Sequence, residues 1–281
     1  VEIIWSFELG NLLPLHFFKG KIFKIFHPVD EPRDVQAIRA AEGADVLFSV
    51  TKEIIGKYES FQIPSNFINH GLADEFLVEA PKEISSDDTI NVGMSGNLMR
   101  PDLDRATLLQ IIEENRTSVF NFYGSYELMH SNIGAADDDA TRHFLERLKS
   151  CENVKLYGVL KTTDLARELN RMDALLICYD TELDQSKGTN YHKVMEYLST
   201  GKVIISNNIT TYQSYPGLVR MTQGCGNNAG LPALFLNTIH NLKQWNSPAF
   251  INERRTFAAN NTYQKQLGRI EKLISDLIPN V

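Results

Sequence analysis

A lysine and a glutamate three residues apart, Lys193 and Glu196, stand near the start of a helix-like run, GTNYHKVMEYLSTGKVIISNN, residues 188–208. Thr189 and Asn190 are of the types that accept hydrogen bonds from the orphan amides of a helix start, and either suits the N-cap. Val194, Met195 and Leu198 fall toward a core, Gly201 ends the helix, and VIIS re-enters a sheet. Lys193 and Glu196 then share one side of the helix. That arrangement suits a nucleoside diphosphate. Helix amides favour an anion, the lysine adds a full positive charge, and a carboxylate can accept from both hydroxyls of a ribose. The rival reading is a surface i,i+3 ion pair worth about 0.2–0.5 kcal/mol. The run by itself leaves both open.

A second group lies in GMSGNLMRPDLDR, residues 93–105. Gly93 and Gly96 allow a backbone to approach a ligand closely, and Asn97 follows. Arg100 and Arg105 offer planar, always-charged forks that match phosphate; the alternative for each is an ordinary loop arginine. Gly158, Val159 and Leu160 end a strand. His27 ends the strand KIFKIF before Pro28, where it either caps a turn or faces a substrate, with Asp30 and Glu31 close behind.

Other runs point away from special chemistry. GCGNNAG, residues 224–230, lacks the Lys-Ser/Thr ending of a phosphate loop and reads as a flexible connection. Asp137, Asp138 and Asp139 read as an acidic helix start, not a metal site. Cys151, Cys178 and Cys225 fit neither a disulfide framework nor a zinc site, and Cys178 reads as a small core residue in a reducing compartment. The formal net charge of −7 argues against nucleic acid as the main partner. There is no signal peptide pattern and no apolar run long enough to span a bilayer.

The elements that must position these residues alternate between strand and helix, which implies parallel sheets flanked by helices. In residues 1–78, VEIIWSF, KIFKIF, ADVLFSV and SNFIN read as strands and RDVQAIRAAEG and KEIIGKYES as helices. Residues 79–88, EAPKEISSDD, read as a domain linker or a surface loop. In residues 88–260 five strands and four intervening helices make a doubly wound α/β domain. The helix in TTDLARELNRM takes a Thr or Asp cap. Residues 261–281 form a docking helix with Leu267, Ile270, Leu273, Ile274 and Leu277 in a stripe. Two such domains enclose a cleft, and chemistry belongs at the carboxyl ends of the strands. The chain starts in a strand without Met, so the first domain is expected to lack its opening half.

The ordered motifs resemble the retaining glycosyltransferases of the GT-B fold, family four and its relatives. KVMEYLSTGKVII is similar to that family's K-x-x-E-Y-L-A-x-G-x-P-V-I. ADVLFSVTKEIIGKY with IPSNFINHGLADEF, and INVGMSGNL, FNFYGSY and NVKLYGVL, match in order across nearly the whole chain. The resemblance implies two facing Rossmann-like domains and transfer of a sugar from a nucleotide sugar to a saccharide or lipid-linked acceptor, with retention. It implies no cofactor, no metal, and a place in surface polysaccharide or glycolipid synthesis, in the cytoplasm with peripheral contact to the inner membrane. It puts Lys193 with Arg100 or Arg105 on the diphosphate, Glu196 on the ribose, and Gly158 to Leu160 around the base. Gly96, Asn97, Thr189 and Asn190 go to the donor, His27 to the reacting sugar, and Asp30 and Glu31 to the acceptor side. The family often has a second glutamate eight positions before Glu196. Here that position is Gly188, and Lys202 stands where a proline is usual. Rival functions are an epimerase of the same architecture, an inverting transferase that needs a base in its first domain, and a donor-binding fragment without turnover.

Overall fold

The computed structural model describes residues 2–78, 89–127, 136–224, 226 and 228–278. The linker reading at residues 79–88 lies outside them. The chain divides into two compact units, Val1–Gly71 with Asn261–Val281, and Leu72–Asn260.

The first unit is built on four parallel strands in the order β1 (Glu2–Ser6), β2 (Ile22–Phe26), β3 (Val46–Ser49), β4 (Ser65–Phe67). Helix α1 (Val35–Arg39) starts at Asp34, whose carboxylate accepts from the Ala37 amide, and α2 (Lys52–Gly56) at Thr51, whose hydroxyl accepts from Ile54. Strand side chains alternate between faces, so neighbours in one strand serve two cores. Phe26 and Leu47 join Leu15, Ile54 and Tyr58 on one face. Ile25, Val46 and Phe48 join Ile68 and Ile270 on the other. A strand buried on both faces favours a continuous apolar run, as VLFS of β3 shows, while Lys24 interrupts the run in β2, where only Ile25 and Phe26 are fully buried.

Ile270 belongs to α10 (Tyr263–Leu277), which covers that second face. It is separate from α9 (Pro248–Ala259), and the new start is capped by the Thr262 hydroxyl, which accepts from Lys265. Of the expected stripe, Ile270 is buried, Leu273 and Ile274 are partly buried, and Leu267 and Leu277 are exposed.

The second unit holds six parallel strands in the order β10-β9-β8-β5-β6-β7. They are β5 (Ile90–Ser95), β6 (Ser118–Tyr123), β7 (Val154–Gly158), β8 (Ala174–Ile177), β9 (Val203–Ser206) and β10 (Arg220–Met221). The two-residue β10 is the strand that the sequence pattern does not announce. The helices between strands are α3 (Arg105–Glu114), α4 (Asp139–Ser150), α5 (Thr162–Asn170) and α6 (Lys193–Thr200), with α7 (Leu231–His240) and α8 (Leu242–Trp245) before α9. Asp138 caps α4, accepting from the Thr141 amide, so the acidic run is a helix start. Helix α5 follows Lys161 with no side-chain cap, in place of the Thr or Asp cap expected. Cys178 is fully buried. The chain winds β5, β6, β7 to one side, then returns to lay β8 beside β5 and proceeds to the other. Loops leaving β5 and β8 therefore diverge, and a crevice opens at the carboxyl ends of those two strands.

Candidate functional site

The crevice between β5 and β8 is where Lys193 lies. Its ammonium donates to the Ser95 carbonyl at the end of β5 (2.6 Å) and to the Tyr179 hydroxyl just after β8 (2.7 Å). Lys193 is 6% exposed. An ammonium has three donors, so one N–H remains beyond these two bonds. Burial works against the charge, but Tyr179, Tyr197 and Glu196 more than offset it, and the pKa stands above the ordinary lysine value. A Cβ on Gly96 would sit 2.7 Å from Nζ, so the turn after β5 has to be a glycine for the lysine to reach it.

Three turns are knitted together here. Gly96 N donates to the Tyr123 carbonyl, Leu98 N to that of Ser125, and Gly124 N to that of Gly158. A Cβ at Gly124 would fall 2.0 Å from the Gly96 carbonyl oxygen, at a φ of +145° that only glycine adopts readily. Gly158 also has a positive φ, and Val159 beyond it is 63% exposed, with Leu160 half-buried. Asn97 folds back, accepting from the Met99 amide at 2.8 Å.

Helix α6 differs from the sequence expectation at its start. Its N-cap is His192, without a side-chain cap, instead of Thr189 or Asn190. The loop before it is organised by Asp184, 3% exposed, whose carboxylate accepts from the Ser186 and Tyr191 hydroxyls and from the Gly188 amide. Thr189 and Asn190 are buried in that loop, and the Thr189 hydroxyl has no partner among the described residues. The Lys193–Glu196 surface ion pair is also set aside, because Lys193 is buried and bonded to Ser95 and Tyr179. Glu196 lies instead 3.9 Å from His192 Nε2, one turn back. Its side chain is 21% exposed, and burial lifts its carboxyl above the ordinary range, with Lys193 opposing.

The two arginines separate. Arg100 is held by Asp102 in a two-pronged pair and lies 5.9 Å over the Tyr179 ring, the tyrosine that Lys193 also touches. Arg105 opens α3, donates to Thr141 at 2.8 Å and lies 5.5 Å over Phe144 of α4. Lys193, Gly96 and Arg100 thus converge, whereas the Arg105 side chain reaches α4 and the backbone carbonyl of Arg100. Sequence reasoning missed Tyr179, Tyr197 and Asp184. Tyr197 left a positional trace, standing four residues after Lys193 on the same helix face, and Asp184 left one as a turn former in a polar stretch.

In the first unit, His27 is 7% exposed and stacks with Trp5 and Phe7. Burial pushes its pKa down to about 4. Asp30 is exposed, and Glu31 is paired with Lys57. In the glycine-rich connection, Gly226 N donates to Thr181 and the Asn228 amide to Asp104 and Tyr179, so these two residues are tied down.

Solved structures share this architecture. HepE of Anabaena in complex with UDP-glucose superposes with a TM-score of 0.69 at 12% identity, over 91% of this chain and 73% of that one. The fold is GT-B. Sucrose-phosphate synthase of Thermosynechococcus elongatus gives 0.68 at 12% identity, over 93% of this chain and 69% of that one. TarM of S. aureus, crystallised as a mutant with UDP and saccharides, gives 0.61 at 14%, over 98% of this chain and 55% of that one. No protein-family model matches the chain, nor does any curated protein. The GT-B likeness carries topology and the position of the crevice; at these identities the chemistry has to come from the residues.

Proposed function

We propose that the protein transfers a sugar from a nucleoside-diphosphate sugar to a saccharide or lipid-linked acceptor, with retention of configuration. The observation that carries this reading is the buried Lys193 ammonium at the β5/β8 crevice, bonded at two of its three donors and backed by a glycine turn. The UDP complexes of HepE and TarM, proteins of the same fold, support it.

Breaking the anomeric C–O bond leaves negative charge growing on the diphosphate. Lys193 and Arg100 meet that charge with donors already fixed in place, which is the efficient form of electrostatic stabilisation. Glu196 accepts from the ribose hydroxyls. Gly96, Asn97, Thr189 and Asn190 line the donor, and Gly158, Val159 and Leu160 hold the base. Arg105 is a supporting residue of the Arg100 loop, since it donates to the Arg100 carbonyl. His27 faces the reacting sugar. On the acceptor side Asp30 is the available carboxylate, because Glu31 is engaged with Lys57. The proposal needs no metal and no cofactor. It places the reaction in surface polysaccharide or glycolipid synthesis, on the cytoplasmic side of a membrane touched peripherally. Among the described residues no helix is long and apolar enough to cross one.

The test is titration calorimetry with UDP, GDP, ADP and CDP, for wild type and Glu196→Ala. One nucleotide should bind, and the variant should weaken it by at least tenfold, roughly 1.4 kcal/mol. Absence of binding by all four would refute the donor site. The anomeric configuration of a product, read by NMR, then decides retention.

A further inference from the structure

Tyr179 lies just beyond β8 at the β5/β8 crevice and is 6% exposed. Its backbone is pinned on both sides by side-chain amides. The Tyr179 amide donates to Asn207 Oδ1 at 2.9 Å, and its carbonyl accepts from Asn228 Nδ2 at 2.8 Å. It also pairs with Leu103 in an isolated antiparallel bridge. Next to it, the Asp180 amide donates at 2.9 Å to the carbonyl of Asp102, the residue whose carboxylate holds Arg100. The ring packs on Tyr191 at 5.0 Å, and the Tyr191 hydroxyl donates to buried Asp184 at 2.8 Å. Tyr179 is therefore fixed in place, in contact with both Lys193 and Arg100.

Its hydroxyl is only half used. It accepts from Lys193 at 2.7 Å, and the direction is certain because an ammonium has donors and no acceptor. A phenol also carries a hydrogen of its own, and that hydrogen has no acceptor among the described residues. The third N–H of Lys193 is unused as well. The choice of partners for the lysine is informative. Ser95 offers a carbonyl and Tyr179 a hydroxyl, both neutral. A carboxylate would hold an ammonium more strongly, but it would repel an anionic ligand. A phenol holds the ammonium and still has a hydrogen to give. The bond it accepts from a cation polarises it and makes it the better donor.

We infer that Tyr179 is a further catalytic residue, whose hydroxyl donates to a phosphate oxygen of the bound nucleoside diphosphate beside Lys193 and Arg100. The inference rests on the transfer reading above and adds to it a donor that carries no charge. The contact is a hydrogen bond, and no proton leaves the phenol. It strengthens as the anomeric C–O bond breaks and charge accumulates on the diphosphate, and its donor is held in position beforehand, so little reorganisation is needed at that moment. Lys193 and Arg100 supply charge, while Tyr179 supplies direction, because its backbone is pinned at Asn207 and Asn228.

Tyr179→Phe removes the hydroxyl and keeps both the ring against Tyr191 and the backbone bonds. The variant should fold, melting lower than wild type by about 2–4 °C. UDP, GDP, ADP and CDP are titrated into wild type by calorimetry, and the tightest binder is then titrated into Tyr179→Phe, Lys193→Met and the double variant. Tyr179→Phe should weaken binding about tenfold, as expected for losing a hydrogen bond to a charged group. In the Lys193→Met background the same change should still weaken it by at least about threefold, because the contact with phosphate is direct. A tyrosine that only steadied the lysine would lose its effect once the lysine is gone. Equal affinities of Lys193→Met and the double variant would therefore overturn the inference, as would a Tyr179→Phe protein that binds within about twofold of wild type. Either result, with wild-type binding intact, sinks the role of Tyr179 alone. A wild type that binds none of the four nucleotides sinks the donor site and this contact with it.

Discussion

Lys193 and Tyr197 stand one helical turn apart on α6 and grip the same residue from two sides. Lys193 Nζ donates to the Ser95 carbonyl at 2.6 Å, and the Ser95 amide donates to the Tyr197 hydroxyl, also at 2.6 Å. The end of β5 is thereby fixed to the start of α6 across 98 residues of sequence. The two contacts differ in kind. Tyr197 is fully buried and has a structural task, while Lys193 retains a donor for a ligand.

The two residues should therefore separate in their effects. Tyr197→Phe leaves a buried amide unpaired and should lower stability by about 1–3 kcal/mol, with nucleotide affinity changed less than about threefold. Lys193→Met keeps the stem and removes the charge. It should weaken binding of the preferred nucleoside diphosphate by about 10–100-fold, or roughly 1.4–2.8 kcal/mol. Denaturant unfolding and calorimetry on both variants read the two effects. Unchanged affinity in Lys193→Met would remove the lysine from the donor site.

Glu196 gives a pH dependence with opposite signs for folding and for binding. Burial lifts its carboxyl above the ordinary value, so the folded chain holds that proton more tightly than the unfolded chain. Stability from this group is therefore complete below the unfolded pKa and is lost as pH rises through the folded one. At pH 7 the charged carboxylate burdens the fold. Glu196→Gln should be more stable than wild type at pH 7, and the gap should close on acidification below the ordinary carboxylate range. Nucleotide affinity should run the other way. In wild type it should fall as the pH drops through the raised pKa, while Glu196→Gln, already about tenfold weaker at pH 7, should show no such slope. A stability gap that widens toward acid would contradict this account.

The parts of the fold that were legible in the sequence are those that local pattern controls. Strands buried on both faces favour continuous apolar runs, so β3, β8 and β9 stood out, while the two residues of β10 are too few to make a pattern. Lys193, Glu196 and Gly96 were legible because helix spacing and a glycine after a strand have direct physical meaning. Tyr179 and Tyr197 were not, since their roles arise where β5 and β8 meet, and adjacency of those strands is a property of the sheet order. The helix start was misplaced for a related reason. Asp184 takes up the Gly188 amide and the Tyr191 hydroxyl, which folds residues 184–191 into a loop of its own and delays α6 to Lys193. An Asp in a polar stretch is a turn former that bonds the backbone two residues on, as Asp184 does in accepting from the Ser186 amide, and it competes with the cap signal of Thr189 and Asn190.

Gly188 occupies the position where the resembling family often has a glutamate, and the loop geometry argues that no side chain fits there. Its φ is +69°, and a Cβ would lie 2.7 Å from Thr181 Cγ2 and 2.8 Å from the Asn208 carbonyl oxygen. The left-handed conformation alone costs an L-residue about 1–2 kcal/mol, and the backbone oxygen cannot move cheaply, because the Gly188 and Thr189 carbonyls accept from Thr210 and Thr211 next to it. Gly188→Ala should therefore destabilise by more than that figure, and Gly188→Glu should do so at least as strongly. Restoring the family's carboxylate should not restore a sugar contact. It should loosen the loop that leads into α6 and so weaken UDP binding along with stability. Melting curves and titrations with UDP and UDP-glucose on both variants test this. A Gly188→Glu protein with wild-type stability and tighter UDP-glucose binding would mean that the loop opens to seat a carboxylate, and that the glycine is a choice of substrate instead of a demand of the backbone.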